Sequence, residues 1–370
     1  MISKTELQRI ASKRKVKDLA FMEKDYALTW VLKAISMNPA LSETLVFKGG
    51  TCISKMYAEN YRLSEDLDFS LNKKHTLSLN ELILELEGSF ETILSDGGPQ
   101  LHVKNSGRME NKGYLSVRIS YLGPLAHQGE IKLEVSLQEA IIYARDKLPL
   151  KESLYPDIAP FSINCYGIYE VMAEKIRAIL QRGKSRDYYD VWMLTGDQQF
   201  NEVARKTPAE LIKLVEEKCE LNKIEFTPEL MFSDNRIKEA KRYWVDSLAR
   251  MVFDLPEFET VLEDLRKTFF SVEELSLFSK DLEIEHLDNM YRDHGSEPLL
   301  RRAFKIVESY LDSKKKSDVL KAMTFISKIA KKEYGGYFIQ VIGVLMELQN
   351  DRDKNIREEA IALLKKIQNH

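Results

Sequence analysis

The stretch DLDFSL, Asp66 to Leu71, constrains this chain more than any other. Its polar and apolar residues alternate strictly, the pattern of a half-buried strand. Successive strand side chains point to opposite faces, so Leu67, Phe69 and Leu71 can enter a core while Asp66, Asp68 and Ser70 share the other face. Two carboxylates fixed at neighbouring exposed positions repel each other unless a cation neutralises them. Hard oxygen ligands on a rigid strand suit Mg²⁺, which accepts one or two carboxylates and completes its shell with water and phosphate oxygens.

The residues before this strand bear on the same ligand. VFKGGTCISKMYAENY, Val46 to Tyr61, reads as a short strand, a Gly-Gly turn and a short helix. Gly49 and Gly50 let the backbone approach a ligand closely and tolerate positive φ. Thr51 stands where a helix N-cap is expected, with the free N–H groups of the first turn directed toward an anion. A third carboxylate comes from EIKLEVSL, Glu130 to Leu137, whose alternation turns Ile131, Leu133, Val135 and Leu137 inward and Lys132, Glu134 and Ser136 outward. If both strands share a sheet, Asp66, Asp68 and Glu134 can hold two metal ions, the requirement for in-line phosphoryl or nucleotidyl displacement. Each element also has a blander reading as a tight turn beside a charged edge strand. A second Asp-X-Asp, Asp351 and Asp353, lies in a polar turn. The conjunction of Gly-Gly-Thr, a helix-length spacer and alternating carboxylates favours a metal-dependent nucleotide site.

Around this unit the sequence divides into regions. Residues 1–40 read as a helical segment closed by Asn38 and Pro39, and residues 41–150 as the core, a mixture of strands and helices. Residues 151–290 read as a helical domain that completes the site. Residues 291–370 form an extension of four helices, expected at Leu299–Leu311, Val319–Lys332, Tyr337–Leu348 and Ile356–Ile367. NDRDKNIREEAIALLKKI resembles the second half of a HEAT-type repeat. The expected fold class is α+β, a small mixed β-sheet with helices followed by a mostly α-helical C-terminal region.

Composition narrows the function further. A chain of 370 residues, 44% of them hydrophobic, can bury a substantial core. A formal net charge of −3 argues against a surface built throughout to coat nucleic-acid phosphates. Cys52, Cys165 and Cys219 are widely spaced with no CxxC pair, which indicates neither a disulfide framework nor a zinc site and suits a reducing cytosol. No apolar run approaches the roughly 18 residues of a membrane span, so the expected location is cytoplasmic, away from membranes.

KGGTCISKMYAENYRLSEDLDFSL resembles the first signature of the AbiEii/AbiGii-type nucleotidyltransferases, members of the DNA polymerase β-like superfamily known as toxins of abortive-infection and toxin–antitoxin systems. The resemblance includes Gly49, Gly50, Thr51, Arg62, Ser64, Asp66 and Asp68, with fourteen residues between Thr51 and Asp66. EKDYALTWVLKAI, from Glu23, is similar to the helix that precedes this signature. A second block, EVMAEKIRAILQRGKSRDYYDVWML from Glu170 to Leu194, resembles the family's later motif. The resemblance implies that Gly49, Gly50, Thr51 and Ser64 bind the nucleotide and that Lys175 contacts its phosphates. It also implies that Asp187 or Asp190 organises the active site or the attacking group.

The expected activity is transfer of a nucleoside monophosphate from an NTP to an acceptor hydroxyl, with pyrophosphate leaving and Mg²⁺, as two ions, on Asp66, Asp68 and Glu134. The resemblance implies RNA, tRNA 3′ ends in particular, as acceptor and an antitoxin as protein partner. Lys184, Arg186 and Lys314 to Lys316 are basic residues that could meet RNA phosphates. Three alternatives compete: a protein or small-molecule hydroxyl as acceptor, a non-catalytic helical binding module, and a glycosyltransferase using its Asp-X-Asp. The last lacks a reason for the Gly-Gly-Thr helix start.

Overall fold

Alternating strands that are apolar on one face pair into a single mixed sheet in the first of two units, Met1–Phe269 and Phe270–His370. The computed structural model describes residues 1–269 apart from 60, 153, 197–207, 225 and 227, and beyond them residues 307, 310, 311, 316–329 and 335–368. The strands are β1 (Leu45–Lys48), β2 (Asp66–Leu71), β3 (Gln100–Val103), β4 (Met109–Glu110), β5 (Tyr114–Leu122), β6 (Gln128–Ser136), β7 (Ala144–Pro149) and β8 (Ser162–Tyr166). Their order is β3-β5-β6-β2-β1-β8-β7, with β4 paired to β5. β2 runs antiparallel to β1 and parallel to β6, and β1 runs parallel to β8. The sheet is therefore mixed, as the alternation and the intervening helices led one to expect. β3, β4, β7 and β8 were not anticipated: β3 and β4 are four and two residues long, β7 is interrupted by a register shift between Arg145 and Leu148, and β8 lies in the 151–290 region read as helical.

The inward face of the sheet is apolar and buried. Phe47, Leu67, Phe69, Leu133 and Val135 are fully buried, and the Phe47 and Phe69 rings lie 5.2 Å apart. The N-terminal region forms α1 (Lys4–Lys13), α2 (Leu19–Met37) and α3 (Pro39–Thr44). Asn38 serves two helices at once: it ends α2 and caps α3, its Oδ1 accepting from the Leu41 N–H at 3.0 Å, with Pro39 in the first turn of α3. α2 buries Asp25 as well as Tyr26, Leu28, Val31 and Ile35, and a buried carboxylate needs partners. Lys55 Nζ and the Tyr155 hydroxyl supply them at 2.7 and 2.6 Å from Asp25 Oδ2. Lys55 lies in the π-turn Ile53–Tyr57 that continues α4 (Gly49–Cys52), so this ion pair ties the Gly-Gly helix to α2.

α5 (Leu79–Ser95) opens with a capping box between Ser78 and Glu81. α6 (Ile168–Arg182) ends where Gly183 takes φ +57°, and α7 (Ser185–Gly196) follows at once. The unit is completed by α8 (Pro208–Leu221), α9 (Asp234–Arg242), α10 (Trp244–Leu248) and α11 (Phe258–Phe269).

In the second unit, α12 (Lys316–Ile329), α13 (Gly335–Leu348) and α14 (Lys354–Gln368) correspond to three of the four expected helices. Of the expected Leu299–Leu311 helix, all but residues 307, 310 and 311 lie outside the described residues. Met323, Ile326, Val341, Leu345, Ala360 and Leu363 form its core. The second Asp-X-Asp is a capping turn: Asp353 Oδ1 accepts from the N–H of Asn355 at the start of α14. Among the described residues no helix is long and apolar enough to cross a membrane.

Candidate active site

The site begins where β1 stops. Gly49 follows Lys48 with φ +79°, a left-handed conformation that glycine adopts without strain, and a β-carbon there would overlap Asp68 Oδ2. A β-carbon at Gly50 would come within 2.6 Å of Arg62 Nη2 and 3.4 Å of Ser64 Oγ. The two glycines thus let the turn sit directly against the second aspartate and against the segment that carries Arg62 and Ser64. Gly49→Ala is expected to destabilise the fold by about 1–2 kcal/mol in urea unfolding from backbone strain alone. By pushing Asp68 aside, it should also depress kcat more than the KM for nucleotide.

Thr51 departs from the sequence reading. The N-cap of α4 is Lys48, in extended conformation and without a side-chain capping bond, and Thr51 lies within the helix. Its hydroxyl, buried, donates to the Asp66 carbonyl oxygen at 2.5 Å. Left-handed Gly49 tightens the turn so that the helix starts two residues before Thr51. Thr51 therefore fastens the helix to the start of β2 rather than capping it.

The three carboxylates share a sheet face. Asp68 is the register partner of Lys48 on β1 and of Glu134 on β6, and Asp66 pairs with Lys132. Asp66 and Asp68 are partly buried, and among the described residues neither carboxylate has an ion pair or hydrogen bond. Burial raises Asp68 above the usual carboxylate range against the pull of Lys48, with Asp66 and Glu134 adding repulsion. Burial likewise raises Asp66, against Lys24. Glu134 is oriented differently: its Oε2 lies 2.8 Å from Lys132 Nζ, two residues along the same face. Among the described residues no three His, Cys, Asp or Glu side chains converge in metal-ligating geometry. The backbone therefore sets Glu134 beside Asp68, while its carboxylate is held by a lysine.

The second sequence block closes the site from the other side. Lys175 on α6 places Nζ 2.7 Å from Asp190 Oδ2 and 3.6 Å from Asp187 Oδ1. Arg182 grips Asp187 through Nε and Nη2 at 2.8 and 2.9 Å. Arg62, from the first block, grips Asp190 through Nε and Nη2 at 2.6 and 2.8 Å, and Tyr61 adds its hydroxyl. Asp187 and Asp190 are fully buried, so both aspartates organise cations instead of facing solvent. Burial pushes Asp190 up, but Arg62 and Lys175 outweigh it and hold the carboxyl far below its usual range. Three cations surround two anions, and the charges of Lys175 and Arg186 reach Asp68 and Asp66 respectively. The surplus positive charge borders the aspartates, where phosphates would be attracted.

The sequence favours a solvated strand-end Lys48 over one that adds charge to the site, and it marks no role for Lys218; both hold this arrangement. Lys48 pairs with Glu139, and burial lowers its ammonium to about 8 despite Glu174 and Asp68. Lys218 on α8 is buried 2.6 Å from Glu170 Oε1 and 3.1 Å from Glu174 Oε1, and the Glu170 carboxylate also accepts from the N–H groups of Ile142 and Tyr143. Only one signal was available beforehand: charged residues inside otherwise apolar helical stripes need buried partners.

Comparison with known proteins bears on the family and the fold. The model of the family described as nucleotidyl transferase AbiEii toxin, type IV toxin–antitoxin system, matches residues 30–264. Among solved structures the chain is similar to MenT4, a nucleotidyltransferase toxin from Mycobacterium tuberculosis H37Rv, at 19% identity and a TM-score of 0.51, covering 81% of this chain and 98% of that one. At that identity the likeness is one of fold. No curated protein matches the sequence. The matched span contains the Gly-Gly turn, both aspartates of β2 and the whole α6–α7 charge network, and the chain belongs to the AbiEii family of nucleotidyltransferase toxins of type IV toxin–antitoxin systems.

Proposed function

We propose that the protein transfers a nucleoside monophosphate from an NTP to a hydroxyl of RNA, tRNA 3′ ends foremost, in a metal-dependent reaction that a partner antitoxin restrains. The observation that carries this reading is the pair of half-buried aspartates, Asp66 and Asp68, raised by burial and without an ion pair among the described residues, with a glycine turn packed directly against Asp68. Two such carboxylates on one rigid strand fit a divalent cation. Asp66 and Asp68 would hold it, with Glu134 in register to join if Lys132 releases it. A cation there would neutralise triphosphate charge and lower the pKa of the acceptor hydroxyl.

The chain's own groups supply the rest. The first-turn N–H groups of α4 lack intrahelical acceptors and are available to phosphate oxygens. Ser64, beside Gly50, adds a hydroxyl at the same turn. Lys175, Arg182 and Arg186 attract the triphosphate, and Asp187 and Asp190 keep the first two from folding onto Asp66 and Asp68. Purified protein incubated with Mg²⁺, total RNA and each radiolabelled NTP in turn is expected to yield labelled RNA on a denaturing gel. Label confined to a protein band would move the acceptor to a protein hydroxyl, and no label with any triphosphate would overturn the reading.

A further inference from the structure

A cleft of about 390 Å³ opens next to the site, lined among others by Lys13, Lys15, Tyr61, Arg62, Tyr189 and Phe253. Its rim is cationic. Lys13 and Lys15 are exposed and have no ion pair among the described residues, whereas Arg14 between them is answered by Glu152 at 2.8 Å. Lys15 adopts φ +55°, which swings the chain out of α1 and sets its ammonium 4.7 Å from the centre of the Phe253 ring. Phe253 is 56% exposed, so a large apolar face stands open beside two unneutralised lysines. One carboxylate, Asp254, opposes them in the lining.

The cleft connects with the catalytic strand. Its floor is Tyr61 and Arg62, and the chain runs from there directly into Asp66. The basic N-terminal segment lies alongside: Arg14 Nη2 donates to the Tyr61 carbonyl at 3.2 Å, and Lys24 Nζ lies 3.6 Å from Glu65 Oε1. Five residue steps, from Tyr61 to Asp66, span at most about 18 Å of extended chain. That is the reach of a few nucleotides of an open strand. Lysines that track a backbone and an aromatic face that stacks a base are the two elements of single-strand recognition without sequence preference.

We propose that this cleft binds single-stranded RNA a few nucleotides upstream of the reacting hydroxyl, with phosphates on Lys13 and Lys15 and a base on Phe253. The inference rests on RNA being the acceptor. It is tested with the full chain by fluorescence anisotropy on a 5′-labelled single-stranded RNA, and by transfer kinetics on total RNA. Phe253→Ala is expected to weaken RNA binding and raise the KM for RNA by about tenfold, the size of one lost base stack. The same variant should leave the KM for NTP, the kcat at saturating RNA and the melting temperature unchanged. The pair Lys13→Gln and Lys15→Asn should lower the salt slope of log K by about 1.4, at roughly 0.7 for each phosphate contact. Asparagine is chosen at position 15 because it tolerates the left-handed backbone there. Asp254→Asn is expected to tighten binding, which a purely structural residue would not do. Wild-type labelling of RNA with all these variants binding like wild type would overturn the cleft and leave the RNA acceptor standing. A wild-type protein that neither binds nor labels RNA would overturn both.

Discussion

Asp68→Asn is expected to abolish nucleotide incorporation, by about 10²-fold or more, while raising the melting temperature of the metal-free protein. The two effects have one origin. Burial raises Asp68 above its usual range, so folding disfavours its ionised form. For a group shifted in that direction, the stabilising contribution is complete below the unfolded pKa and is lost as pH rises through the folded value. At neutral pH the carboxylate is therefore a cost, and the neutral amide removes it. Magnesium should reverse the order by raising the melting temperature of the wild type with concentration and that of the variant far less, as expected for a ligand that binds only the folded state. Melting curves with and without Mg²⁺ test the assignment independently of activity. Incorporation by the variant at the wild-type rate would remove Asp68 from the site.

Arg62→Ala is expected to produce the largest loss of stability, about 3–5 kcal/mol, because it leaves the buried Asp190 carboxylate facing only Lys175 and the Tyr61 hydroxyl. Arg62→Lys should recover only part of this, since one ammonium cannot reproduce the two bonds from Nε and Nη2. The same substitution removes the group that backs Gly50, so the KM for NTP should rise along with the unfolding. The acid limit follows from the sign of the Asp190 shift. A depressed carboxylate stabilises the fold above its unfolded pKa and loses that contribution as pH falls toward the folded value. This network should therefore hold down to about pH 4 and fail only below it. Urea unfolding at neutral pH and at pH 3 measures both claims, and an Arg62→Ala protein as stable as wild type would show that the pair holds nothing together.

What was legible in the sequence was local. DLDFSL and EIKLEVSL announced their faces because a strand repeats every two residues, and the observed burial of Leu67, Phe69, Leu133 and Val135 follows that period. The Gly-Gly turn was legible for the same reason: left-handed backbone leaves its mark at a single position. Thr51 was misread because the residue that starts a helix depends on where the turn tightens, and Gly49 tightens it early. The partners of Arg62, Lys48 and Lys218 were not legible, since each lies 44 or more positions away in the chain.

By itself, then, the order of residues determined which side chains share a face, where the chain can turn sharply and which family it joins, because each depends on neighbours a few bonds apart. Only the tertiary structure decided that β6 lies parallel beside β2, that Glu134 answers Lys132 while Asp66 and Asp68 stay without an ion pair among the described residues, and that Arg62 meets Asp190. Those outcomes come from strand register and burial. Both depend on how distant segments exclude water together, and no single stretch of sequence contains that information.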